Sequence, residues 1–202
     1  MTNNRQYTRP VVVPKFHHTT FTTMHLEEMV EFYEKVAGLT PVYYGEEAAW
    51  LSNDEANHRI ALLAFPDLKA PEDKGHTAGL HHTAFEYPDF DSWILNYKRL
   101  TRFDIEPFVC LDHGMTMSMY YQDPEGNGVE IQVDTFGDWT KSTTWMYYSP
   151  EFGENPIGQH FDPQKILKAY EAGATKDEIH ARARNQEFEP EVIPDIHLPE
   201  AW

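Results

Sequence analysis

A chain of 202 residues with a formal net charge of −17 and a single cysteine suits one soluble domain, or one domain with an extension. That charge repels phosphate backbones and anionic lipid, which excludes nucleic acid and membrane surfaces as partners. Cys110 has no internal disulfide partner, the first residues lack a signal-peptide apolar run, and no apolar stretch approaches a membrane span; a cytoplasmic protein is expected.

Residues 7 to 15 hold two prolines and read as a lead-in. A strand is predicted over Lys15–Thr22, then a helix over Leu26–Ala37 with Leu26, Met29, Val30, Tyr33 and Val36 on one face and Gly38 as its stop. Strands come next at Thr40–Tyr44, Ala48–Ser52 and Arg59–Phe65, and residues 66 to 79, rich in proline and charge, read as a linker. The plan then repeats: a strand over Gly79–Tyr87, a helix over Phe90–Leu100, and strands at Glu106–Leu111, Thr116–Gln122 and Gly128–Asp134. Asp123-Pro124-Glu125-Gly126-Asn127-Gly128 is a turn sequence.

Beyond Thr135 the repeat stops. Asp162-Pro163 marks a helix start running to about Gly173, and Thr175 with Glu178 forms a capping box for another. The acidic, proline-containing end reads as an extended tail. The expected fold class is α+β, with a domain over 1–135 (modules about 12–65 and 79–135) and an extension over 136–202 carrying short helices.

The repeat is literal in places. Phe16-His17-His18-Thr19-Thr20-Phe21 returns 64 positions later as Leu80-His81-His82-Thr83-Ala84-Phe85, and Met29/Trp93, Val30/Ile94, Tyr33/Tyr97 and Val36/Leu100 keep that offset. Alternate strand residues face opposite sides of a sheet, so once the helices cover the apolar faces, His18 and His82 fall on the polar side. Glu130 falls there too, between the apolar Val129 and Ile131, as does Tyr120 on the preceding strand. A single His-His pair is more often packing or surface; two pairs at equal places in a duplicated unit, with a carboxylate, favour a metal.

Two histidines and one carboxylate are the facial set of non-haem Fe(II), with positions left open for substrate and O2. Aligning Arg59-Ile60-Ala61-Leu62 with Gly128-Val129-Glu130-Ile131 puts Ala61 where a fourth ligand would stand, which keeps the metal open for chemistry.

These strings, with Val30–Leu39 and the run Tyr120-Tyr121-Gln122-Asp123-Pro124-Glu125-Gly126-Asn127-Gly128-Val129-Glu130, resemble the vicinal oxygen chelate superfamily (glyoxalase, bleomycin resistance and extradiol dioxygenase proteins). The similarity is greatest to type I extradiol dioxygenases of the biphenyl-2,3-diol dioxygenase group, in which a tail like Glu154–Gly158 with Phe161-Asp162-Pro163 also recurs. The resemblance implies two βαβββ modules paired into one open, incomplete barrel around a metal. It implies His18, His82 and Glu130 as ligands of Fe(2+), with Mn(2+) as the alternative. It gives Tyr120 a hydrogen bond to the bound diol or oxygen and His113 a supporting place behind the ligands. A loop histidine, His58 or His76, would be the acid/base; Ala56–Ala61 favours His58, although Asn57 replaces a histidine common in relatives.

The implied reaction is extradiol cleavage: O2 is inserted into an aromatic diol of the catechol type, opening the ring beside the hydroxylated carbons to a semialdehyde, as part of aromatic compound catabolism. Phe108, Met115 and Tyr147 are candidate walls for the ring. A homo-oligomer is the expected assembly. The competing readings are glyoxalase- or epimerase-like proton transfer, which uses four protein ligands and is disfavoured by Ala61, and a metal-free binding protein, disfavoured by the intact ligand set.

Overall fold

The computed structural model describes residues 14–70, 72, 74 and 77–194; His76, one of the two candidate acid/base residues, lies outside them. The first module runs β1 (Thr19–Thr22), α1 (Leu26–Ala37), β2 (Thr40–Tyr44), β3 (Ala48–Ser52) and β4 (Ile60–Leu63). The second runs β5 (His82–Tyr87), α2 (Phe90–Leu100), β6 (Val109–Asp112), β7 (Thr116–Gln122) and β8 (Gly128–Asp134). Each is therefore βαβββ, with the first strand added in parallel beside the last: β1 pairs with β4 and β5 with β8, and the remaining pairs within each module are antiparallel.

The two sheets have the orders β1-β4-β3-β2 and β5-β8-β7-β6, and they do not close into a barrel. Both module helices begin and end at the expected residues, as do β2, β3, β7 and β8. The first strand of each module is shorter than expected, so His18 sits just ahead of β1 while His82 opens β5.

Each helix forms because its apolar residues recur at helical spacing and find a sheet to cover. Met29, Tyr33 and Val36 of α1 and Trp93, Ile94, Tyr97 and Leu100 of α2 are fully buried. They share one core with Val129, Ile131 and Val133 of β8 and Met117, Met119 and Tyr121 of β7. Trp93 satisfies its indole by donating to the Ile131 carbonyl at 3.0 Å, so this large ring is buried without stranding a donor. α2 starts on Asp89, which accepts from the Ser92 amide at 2.7 Å.

The modules meet at the turn between β7 and β8. Tyr33 donates to Asp123 Oδ2 at 3.2 Å, and the Thr23 hydroxyl donates to Glu125 Oε1 at 2.8 Å. Asp123 also organises its own turn, accepting from the amides of Glu125 and Asn127.

Among its described residues the extension holds four helices and a short strand: α3 (Trp139–Tyr148), α4 (Pro150–Glu154), β9 (Gln159–His160), α5 (Pro163–Glu171) and α6 (Lys176–Arg184). The last two start on Asp162 and on the Thr175/Glu178 capping box, as expected. β9 pairs with β6 and so covers the outer edge of the second sheet. Phe161, Ile166, Ile179 and Phe188 join the main core, so the chain as far as Phe188 wraps its own domain. Among the described residues no helix is long and apolar enough to cross a membrane.

Candidate active site

Strand alternation delivers the site. With Val129, Ile131 and Val133 committed to the helix side, Glu130 must project to the other face, where β7 sets Tyr120 directly opposite it. Glu130 is only 5% exposed, an expensive position for a carboxylate unless it is paired. It is paired twice: the Tyr120 hydroxyl donates to Oε1 at 2.8 Å, and His82 Nε2 lies 3.0 Å from Oε2. Burial pushes the Glu130 carboxyl up, but contacts with His82, Ser118 and Tyr120 outweigh it and hold the group below the usual carboxylate range.

The chain of contacts continues outward. His113 Nε2 lies 2.9 Å from the Tyr120 hydroxyl. Burial lowers the His113 pKa more than Glu130 and the Ile157 backbone raise it, so its imidazole is biased to the neutral form. Burial, then the Glu130 charge, drives the Tyr120 phenol up and keeps it protonated. His113, Tyr120, Glu130 and His82 thus form one continuous string of side-chain contacts.

The extension braces this string. Ile157 packs beside Tyr120, Val109 and Leu111. Gly158, at φ +94, presses against the Asp112–His113 backbone so closely that an added Cβ would run into the Asp112 carbonyl. From α6, Arg184 donates to the same carbonyl at 2.9 Å.

In the first module the His-His pair has the geometry of its copy. Nδ1 of His17 and His18 stand 2.9 Å apart, against 2.8 Å for His81 and His82, with nearly perpendicular rings in both. The two pairs differ in their neighbours. The His18 ring packs on His58 at 4.2 Å between centroids, and His17, His18 and His58 have ligand atoms within 4.8 Å of one another. No other such group of three is found among the described residues. Burial first, then the charges of His18 and His17, lowers the His58 pKa. Of the expected ligands the structure joins His82 to Glu130, while His18 gathers with His17 and His58.

The His113–Tyr120–Glu130 face opens into a cavity of about 460 Å3. Met115 lines it, as expected. Phe108 and Tyr147 do not: Phe108 lies on the rim of a different cavity and Tyr147 is 78% exposed. Their place is taken by Trp139 and Met146 of α3. Trp139 is fixed by donating its indole N–H to Glu86 Oε1 at 2.8 Å, and Glu86 Oε2 accepts from Gln132 at 3.1 Å. The sequence did not announce α3, whose local signal is Asp138, the residue that caps it through the Thr140 amide.

Duplicated βαβββ modules, with a buried carboxylate–imidazole–phenol string on the open face of the second, define a paired-module α+β protein with a polar, cavity-lining cluster. The chain belongs to the Glyoxalase/Bleomycin resistance protein/Dioxygenase superfamily, whose family model matches residues 15–131. It is 39% identical over 186 residues to biphenyl-2,3-diol 1,2-dioxygenase 2 of Rhodococcus globerulus, covering 92% of this chain and 95% of that one. It is 38% identical over 172 residues to biphenyl-2,3-diol 1,2-dioxygenase 3 of the same organism, covering 85% and 90%. Among solved structures, a glyoxalase/dioxygenase from Nostoc punctiforme matches with a TM-score of 0.51 at 18% identity, over 63% of this chain and 99% of that chain, a likeness of fold.

Proposed function

We propose that the protein is an extradiol dioxygenase that opens the ring of a catechol-type diol with O2, using a divalent metal, Fe(II) before Mn(II), held by His18, His82 and Glu130. The observation that carries the reading is the buried Glu130, paired with His82 and tied through Tyr120 to a neutral His113. The donors suit such an ion. An imidazole nitrogen and a carboxylate oxygen, His82 Nε2 and Glu130 Oε2, lie 3.0 Å apart, a donor set that would suit a divalent ion. His18 is assigned by equivalence, since it occupies in the first module the place of His82 in the second. The relatives named as dioxygenases of an aromatic diol, aligned over nearly the whole chain, support the same chemistry.

A bound ion supplies charge that acidifies the diol hydroxyls and brings diol and O2 together. The protein's own side chains do the rest. Neutral imidazoles at His113 and His58 are candidates to take a diol proton and return it later. Tyr120 presents its hydroxyl at the centre, and the cavity walls hold the ring. Both atoms of O2 enter the product as the carbon–carbon bond beside the hydroxylated carbons breaks, so no external reductant is needed. Proton transfer of the glyoxalase type is disfavoured by Ala61. It pairs with Thr20 as Glu130 pairs with Ala84, and so adds no fourth ligand.

The test is anaerobic purification, metal quantification, and exposure to catechols of several sizes while O2 uptake and a yellow product are followed. Stoichiometric metal and one O2 consumed per diol are expected. Absence of both with every catechol overturns the reading.

A further inference from the structure

The two His-His pairs are alike, but among the described residues only the first gathers a third imidazole. The parallel ladders explain why. β1 pairs Thr19 with Ile60, so carrying the register back sets His18 level with Arg59 and His17 level with His58. In the second module His82 pairs with Gly128, which sets His81 level with Asn127. Asn127 is committed to its turn: its amide and side chain donate to Asp123, and its Oδ1 accepts from Lys74. The duplication thus puts an engaged amide where the first module has an imidazole. Backbone contacts fix the frame of that module. Thr19 donates its amide to the Arg59 carbonyl at 3.0 Å, and Arg59 Nη1 donates to the His17 carbonyl at 2.9 Å. The Arg59 charge is met by Asp54, whose Oδ2 accepts from Nη2 at 2.7 Å. His17, His18 and His58 accordingly converge, one nitrogen of each within 4.8 Å of the others, with no carboxylate or thiol in the group. His17 and His18 are exposed and His58 is half-buried, so an ion can reach them from solvent.

We propose that His17, His18 and His58 form a second metal site, for a divalent ion of the zinc or nickel kind, and that an ion bound there inhibits the protein by withholding His18 from His82 and Glu130. The inhibition rests on the proposed ring-cleavage function; the site itself does not. An all-imidazole set suits zinc, nickel and copper, whereas the set proposed for iron contains a carboxylate. His18 belongs to both sets and cannot serve them together. Because the group is exposed, it fills when the ion is supplied and empties to a chelator.

Untagged full-length protein is stripped with a chelator and titrated with Zn2+ by calorimetry. The variant His82→Ala/Glu130→Gln, which lacks the second-module ligands, is expected to bind one Zn2+ per chain. Adding His17→Ala or His58→Ala weakens that binding about tenfold or more, since even the outer partners of a metal are worth about tenfold. Circular dichroism checks that each variant is folded. No zinc bound by the double variant, or equal affinity once His17 and His58 are both replaced, overturns the site. Zn2+ is then added to the iron-loaded wild type and to His17→Ala during catechol turnover, each rate taken relative to its own zinc-free value. The wild type is expected to be inhibited at about tenfold lower zinc, following the difference in affinity. Equal sensitivity means that zinc acts by displacing iron, and overturns the inhibitory role. Zinc held through His17 in a protein that cleaves no diol upholds the site and overturns the ring-cleavage reading, and the inhibition with it.

Discussion

His82 and Glu130 meet on a diagonal. The parallel pairing of β5 and β8 sets His82 opposite Gly128 and Glu130 opposite Ala84, yet the two side chains close to 3.0 Å. Gly128 makes room for this: a Cβ there would stand 3.0 Å from His82 Cβ and 2.7 Å from the His81 carbonyl. The strand register brings imidazole and carboxylate together, and the missing side chain lets the imidazole approach.

His82→Ala is therefore expected to abolish metal retention and to lower turnover at least a thousandfold while the fold survives, because His82 is partly exposed and its loss leaves no large cavity. Metal analysis of anaerobically purified protein, O2 uptake and circular dichroism measure the three effects. Retained metal together with normal uptake would remove His82 from the ligand set.

Tyr120→Phe keeps the ring that packs on Val109 and Leu111 but deletes the hydroxyl between His113 and Glu130. Metal content is expected to hold while kcat falls about a hundredfold, within the range for a lost proton-transfer partner. Steady-state kinetics beside metal analysis decide it.

Acid should weaken the metal-free protein through His113. Folding favours its neutral form, so as pH falls the unfolded chain takes the proton first. Stability is then lost from about pH 6.5 downward and stops falling below the lower pKa of the folded state. Denaturant midpoints between pH 7.5 and 5 should fall less steeply in His113→Asn than in the wild type. His58 and His160, both also lowered by burial, keep some slope in the variant.

Gly158→Ala forces a side chain into positive φ and against the Asp112 carbonyl. A loss of about 2 kcal/mol or more is expected, of the order of local backbone strain with a clash added. Because the neighbouring Ile157 packs beside Tyr120, kcat should fall further than stability alone explains. Thermal melts and kinetics on one preparation separate the two effects.

The two modules were legible because each helix and strand carries its own period: Met29, Tyr33 and Val36 mark α1, and Val129, Ile131 and Val133 mark β8 from local residues alone. The same parity assigned Glu130 to the polar face. α3 was not legible, because Trp139 and Met146 share their face with the polar Ser142 and Thr143, which breaks the apolar stripe, and most of its side chains are exposed. β9 has two residues and exists only because β6 offers an edge. The Trp139–Glu86 bond spans 53 positions and no repeat announces it. The gathering of His58 with His17 and His18 likewise depends on tertiary placement, where sequence offered His58 and His76 as near equals.

The Tyr33–Asp123 bond says something about the duplication itself. Tyr33 has no exposed surface and Asp123 is 4% exposed, and burial raises the pKa of both groups. Each buried group finds its partner in the other half of the chain. A fragment containing one βαβββ unit would expose an apolar flank and strand a polar atom at the same time. The symmetry of the repeat survives as geometry while independence has gone: the halves are expected to melt in a single cooperative transition, and the proposed ligands His18, His82 and Glu130 would be held in register by the same event that folds the chain.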